Sequence, residues 1–190
     1  ELVDGTGMAS NYTTNNPTLG SVTIAPAPIT VSTNALTKVY DTTTGTASTL
    51  VAPSLVLVSG SLYLNEGTSS IDTLSGGVFT YNNANVGSSK TVTISNALVI
   101  SGSTSVTQNY SISYQANTNS IITAAPVTIG GLTASNKVYD TNTSATLTGT
   151  PVIASGLLGS DAAALSGTAT AGTFASANVG NGISVTATLS

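Results

Sequence analysis

The sequence predicts an all-β chain of tandem immunoglobulin-like β-sandwich repeats, each of about 95 residues. Three observations carry that prediction. Short apolar runs rich in Val and Thr are parted by Gly, Asn and Ser clusters about every ten residues, the rhythm of strands and turns in a sandwich. No segment keeps a helical period. Four landmarks return at nearly constant separation: Asn-Tyr (at Asn11 and Asn109) and Ala-Pro (at Pro28 and Pro126) lie 98 apart, Lys-Val-Tyr-Asp-Thr (at Lys38 and Lys137) 99 apart, and Ala-Asn-Val-Gly (at Asn85 and Asn178) 93 apart.

Taken in order, strands are expected at residues 21–26 (SVTIAP), 28–33 (PITVST), 54–60 (SLVLVSG), 61–65 (SLYLN), 90–100, 109–115 and 120–129. The Ala-Pro junctions read as short stiff links, because proline fixes φ and removes a ladder donor. Residues 1–28 then read as the C-terminal strands of a preceding repeat and 29–126 as a complete one. Residues 127–190 read as the N-terminal part of the next, to be completed by residues equivalent to 1–28 of the following unit. The two ends are thus expected to be mutually complementary. With no secretion signal in view, an interior piece of a longer chain is expected.

Composition excludes several function classes. Only 5% of the 190 residues are charged, with three lysines, no Arg, no His and a net charge of −4. A basic face able to displace counterions from phosphates cannot be assembled, so no nucleic acid is expected as a partner. No run has the length and apolarity of a membrane-spanning helix, and no membrane insertion of this segment is expected. Cysteine is absent, removing disulfides and thiolate metal sites. Low Lys, Arg and Glu with high Thr, Ser, Asn and Gly suit an exported bacterial surface protein.

The recurring residues form the candidate sites. In Lys38-Val-Tyr40-Asp41 and Lys137-Val-Tyr139-Asp140, a strand ending in a turn is expected. Each Tyr would cover the end of the sandwich, each Asp would bond the backbone of the Thr-rich turn, and each Lys would be its solvated partner. A sharper alternative makes each lysine a buried nucleophile cross-linked to Asn85 or Asn178, with the carboxylate as proton shuttle. Asn85-Val86-Gly87 and Asn178-Val179-Gly180 read as turns in which Asn and Gly accept positive φ and Val packs inward. Phe79 and Phe174 read as core plugs. Glu1 and Asp4 could join a neighbour's carboxylate around calcium, but no Asp-x-Asp-x-Asp run exists, and no metal or cofactor is expected. Without His or Cys, and with no nucleophile elbow, an enzyme is not expected. Glu66 and Asp72 could be imagined as a glycosidase pair, but read as part of a solvated loop.

As a set, these residues resemble the YDG-type repeats of large secreted bacterial adhesins, the filamentous-haemagglutinin-like surface proteins. That pattern runs from Lys-x-Tyr-Asp-Gly through Leu-Ser-Gly, Gly-x-Phe and Asn-Val-Gly to Asn-Tyr. It is matched here at Lys38, Tyr40, Asp41, residues 74–76, Phe79, residues 85–87, Asn109 and Tyr110. It is matched again at Lys137, Tyr139, Asp140, residues 165–167, Gly172, Phe174 and residues 178–180. The glycine after Tyr-Asp is taken to be replaced by Thr42 and Asn142, so the turn is expected to differ between the copies. The resemblance implies a stalk or spacer at the bacterial cell surface or in a biofilm matrix, with no catalytic residues to carry over. Expected partners are neighbouring copies of itself, in tandem or head to tail, and a host or matrix surface. Two alternatives stand beside it: a filament subunit assembled by strand donation, and a glycan- or protein-binding module with Tyr63, Tyr81 and Tyr114 as its spare aromatics.

Overall fold

A computed structural model describes residues 3–15, 20–65, 69–163, 165, 169 and 171–188. Glu1, Glu66 and residues 166–167 of the Leu-Ser-Gly motif lie outside the described residues. Among those described there is no α-helix; strands carry the fold, with two short 3-10 turns at Ala9–Asn11 and Thr107–Asn109.

Ten strands fall within residues 27–123. In chain order they are β1 (Ala27–Thr33), β2 (Thr37–Val39), β3 (Leu55–Ser59), β4 (Leu64–Asn65), β5 (Ser70–Ile71), β6 (Thr73–Tyr81), β7 (Gly87–Ser101), β8 (Thr104–Ser105), β9 (Tyr110–Tyr114) and β10 (Asn117–Thr123). One sheet has the order β3-β1-β9, the other β2-β10-β7-β6 with β8 folded onto β7. Two pairings are parallel, β1 with β9 and β2 with β10. The first strands of this region therefore run beside its last strands in the same direction.

Two apolar clusters fill it. Alternation in β1 turns Ile29 and Val31 inward against Val99, Val106 and Tyr110. A second cluster gathers Leu36, Tyr81, Val92 and Ile122, flanked by Tyr40 and Phe79. Strand β7 serves both because it changes phase. Positions 90, 92 and 94 are buried, then 97, 99 and 101, the switch falling at Asn96 with φ 56°. The β6–β7 register runs one-to-one through this point, and the left-handed Gly76 and Gly77 of β6 lie across from Ala97 and Asn96, so both strands change phase together.

The C-terminal region holds β11 (Thr128–Ala134), β12 (Ser144–Ser155), β13 (Ala171–Phe174) and β14 (Val185–Ala187) in one antiparallel sheet. Its only buried apolar side chains among the described residues are Ala145 and Ala169. One backbone contact recurs between the regions. Gly60 follows β3 and Gly156 follows β12, with φ of 87° and 103°. A Cβ on either would sit 2.4 Å from a proline carbonyl oxygen, that of Pro28 or Pro126. Only glycine fits there.

Several expected elements differ. Residues 21–26 pair with no strand among the described residues, and Val22 and Ile24 are 89% and 95% exposed. The run at 120–129 divides into β10 and β11, because Pro126 has no N–H for a ladder. Strand β6 was hidden by Gly76 and Gly77, which break its alternation. The parallel pairs could not be read from periodicity, which gives faces and not partners.

Candidate functional site

The most elaborate polar arrangement is the loop that follows β2. Lys38 lies mid-strand with its side chain fully buried, which corrects the expectation of a solvated lysine. Its ammonium donates to Asp41 Oδ1 at 2.6 Å, Thr43 O at 2.7 Å, Gly45 O at 3.0 Å and Thr43 Oγ1 at 3.3 Å. It also stands 5.5 Å from the centre of the Tyr81 ring. A buried ammonium is tolerable only when its protons are satisfied, and here the chain wraps oxygens around it. None of these bonds goes to Asn85; its backbone N–H donates instead to Asn83 Oδ1.

Asp41 closes the loop from the other side. Its Oδ1 accepts from Thr43 N and Thr43 Oγ1, each at 2.9 Å, and its Oδ2 accepts the Ser48 hydroxyl. Burial pushes the carboxyl up, but bonds from Lys38, Ser48 and Thr43 outweigh it and hold Asp41 well below the usual carboxylate range. Tyr40 donates its hydroxyl to Asp161 Oδ2 at 2.8 Å, tying this loop to the C-terminal region. That bond, then burial and the charges of Asp161 and Asp41, raises the Tyr40 phenol.

The same loop is built again after residue 136. Lys137 donates to Asp140 Oδ1 at 2.6 Å, Asn142 O at 2.7 Å, Asn142 Oδ1 at 2.9 Å and Ser144 O at 3.3 Å, 5.7 Å from the Phe174 ring centre. Asn142 takes the part of Thr43, its amide oxygen replacing the hydroxyl. The Lys137 bond, opposed by burial and aided by Asn142, lowers the Asp140 carboxyl. The residues after Tyr-Asp are Thr42 and Thr141, not Asn142, and both take φ 69°. The two turns are therefore alike, against the expectation that they would differ.

The match extends to the ring beneath each lysine. Tyr81 N donates to Thr44 O at 2.9 Å and Phe174 N to Thr143 O at 2.8 Å. Phe174 thus occupies the place of Tyr81, not of Phe79 as the motif spacing suggested. Phe79 flanks the second cluster, one pleat away.

The Asn-Val-Gly segments are turns, with two corrections. Asn85 and Asn178 donate their N–H groups to Asn83 Oδ1 and Ser176 Oγ, each at 3.1 Å. Positive φ falls later, on Ser89 at 56° and Gly182 at 68°, rather than on Asn85, Gly87, Asn178 or Gly180. Val86 and Val179 are 53% and 88% exposed and do not pack inward.

Sequence reasoning passed over two buried polar pairs. Lys90, nearly buried, donates to Asn83 Oδ1 at 2.5 Å. Asp72, taken for a loop carboxylate, is buried and accepts the Tyr110 hydroxyl at 2.6 Å. Burial and that bond raise the Tyr110 phenol. Among the described residues no three of His, Cys, Asp and Glu come together. Asp4 accepts from Ala9 N. Of the spare aromatics, Tyr81 is buried, Tyr63 stacks on Tyr110 with ring centres 6.5 Å apart, and Tyr114 accepts from Ala97 N.

These features define an all-β protein organised around a lysine-locked Tyr-Asp turn. The YDG domain model matches residues 25–118 and again residues 123–190, and the chain belongs to the YDG domain family. No curated protein and no solved structure matches it.

Proposed function

We propose that this chain is a structural segment of an extracellular bacterial adhesin or matrix filament. In this reading it is composed of tandem immunoglobulin-like units and acts as a stalk or spacer in surface attachment or biofilm. The observation that carries the reading is the duplicated loop: two of the three lysines and two of the seven acids lock one turn at two places, and no three acids gather among the described residues. Parallel pairing of β1 with β9 and of β2 with β10 supports it. Tension between residues 27 and 123 loads those ladders in shear, so many hydrogen bonds must yield together.

The test is force spectroscopy on the full chain held by its termini. A discrete rupture peak from residues 27–123 is expected, and extension without one overturns the reading. Antibodies against the chain should label intact cells of the source bacterium. Signal confined to permeabilised cells would count against the location.

A further inference from the structure

The C-terminal region has a cleft where the first region has a strand. In the first, β10 lies between β2 and β7: Ile122 pairs with Lys38 on one side and Gly87 on the other, and Ser120 pairs with Lys90. Ser120 and Ile122 are essentially inaccessible. The corresponding space beside Lys137 is an open cleft of about 640 Å³, with Tyr139, Phe174, Ile183 and Val185 among its walls.

The sequence holds a matching strand. The offset of 98 that carries Tyr110 to Tyr12 and Pro126 to Pro28 also carries Ser120 to Val22 and Ile122 to Ile24. Local structure obeys the same offset. The 3-10 turn before Tyr110 recurs before Tyr12, with Asn109 N donating to Val106 O and Asn11 N to Met8 O. Val22 and Ile24, two apart and so on one face of an extended segment, are the exposed counterparts of two buried residues.

The chemistry of the walls has changed in step. The offset of 93 that carries Tyr81 to Phe174 replaces Lys90 by Ile183 and its partner Asn83 by Ser176. Opposite that wall the strand residue changes from Ser120 to Val22, so a polar pair becomes an apolar one. Ser120 also accepts Leu36 N at 3.0 Å, a service valine cannot give. Ser135, in Leu36's place, sends its N–H to Thr146 O at 2.9 Å instead. The cleft is therefore suited to valine and makes no demand for a hydroxyl.

We propose that residues 20–26 of a second copy of this chain fill the cleft as an added strand. It runs parallel to residues 136–138 and antiparallel to residues 180–185, with Val22 opposite Ile183 and Ile24 opposite Gly180. Backbone pairing supplies the hold, and the Val22–Ile183 contact fixes the register, since a slip of one residue would turn both apolar side chains outward. The proposal deepens the stalk reading, on which it rests for the equivalence of the two units, by naming the contact between successive ones.

The chain has no cysteine of its own, so a pair of single-cysteine variants tests this cleanly. Val22→Cys protein is mixed with Ile183→Cys protein under mild oxidation. Directly opposed residues on antiparallel strands are close enough for a disulfide. We expect the mixed dimer in at least about tenfold excess over that from Val22→Cys with Val152→Cys, a half-exposed site off the cleft. Adding Ile24→Asp to the donor copy should abolish the excess. Its far-UV circular dichroism should be unchanged, because Ile24 is exposed in the single chain. Equal yields from the two mixtures overturn the proposal. So does a dilute double variant, Val22→Cys with Ile183→Cys, that closes within one chain and forms no dimer. A specific crosslink in a chain that shows no rupture peak overturns the stalk alone; a strong peak without the crosslink overturns the strand insertion alone.

Discussion

The two lysine loops share their bonding and differ in their cover. Lys38 and Lys137 each hold a carboxylate at 2.6 Å, two backbone carbonyls and a side-chain oxygen, above an aromatic ring. The Lys38 side chain is wholly inaccessible, while that of Lys137 is 25% exposed and its partner Asp140 is 48% exposed. Strand β10 accounts for the difference, because it pairs alongside β2, whereas no described strand pairs with residues 136–138. The loop geometry is thus local, written in Lys-Val-Tyr-Asp-Thr, whereas its energetic weight is set by a strand some 85 residues away.

The comparison predicts unequal consequences for equal substitutions. Lys38→Met strands Asp41 and two carbonyls in a poorly solvated place and should cost about 3–5 kcal/mol, read from the urea midpoint. Lys137→Met leaves groups that water can reach and should barely move that midpoint. Equal losses would mean that cover is irrelevant.

Glycine at the shared strand end should sharpen the comparison by behaving alike in both regions. Gly60→Ala and Gly156→Ala each force a Cβ onto a carbonyl oxygen. Each should cost about 2–3 kcal/mol, visible as faster hydrogen exchange in its own sheet.

Acid should then separate the loops. Asp41 has a folded pKa below its unfolded value, so its contribution is fully present above about pH 4 and is lost as pH falls through the depressed value. The denaturation midpoint of the first region should fall between about pH 4 and pH 2, and Asp41→Asn should flatten that fall.

The smallest effect is a gain. Thr42 and Thr141 adopt a left-handed conformation that a β-branched residue resists. Thr42→Gly should stabilise by about 0.5–1 kcal/mol net, since relief of strain exceeds the added freedom of the unfolded chain. A loss would mean that contacts of the threonine side chain matter more than its φ.

Much of this was legible in the sequence, for identifiable reasons. Alternation of apolar and hydroxyl residues marked β1, β7 and β9, because one-sided burial writes itself as period two, and a short apolar run marked β3. The Asp41 turn was foreseen, since Asp bonding its neighbour's N–H is a contact within three residues. The burial of Lys38 was not, because it depends on β10 and on carbonyls that no residue code reveals. The register of Phe174 with Tyr81 was hidden because the aromatic changes type: at the offset of 93, Tyr81 becomes Phe174 while Phe79 becomes Gly172. The apolar clusters were legible as composition and illegible as partnership, since the left-handed Asn96 shifts which β7 residues face inward.

Lysine burial also decides what digestion can reach. Trypsin needs a basic residue, and the chain offers it three. Lys38 is sealed, Lys90 is 7% exposed, and Lys137 alone stands partly in solvent at the lip of the open cleft. The folded chain is therefore scissile first after residue 137, and a strand seated beside that lysine would close the last place where the enzyme can bite.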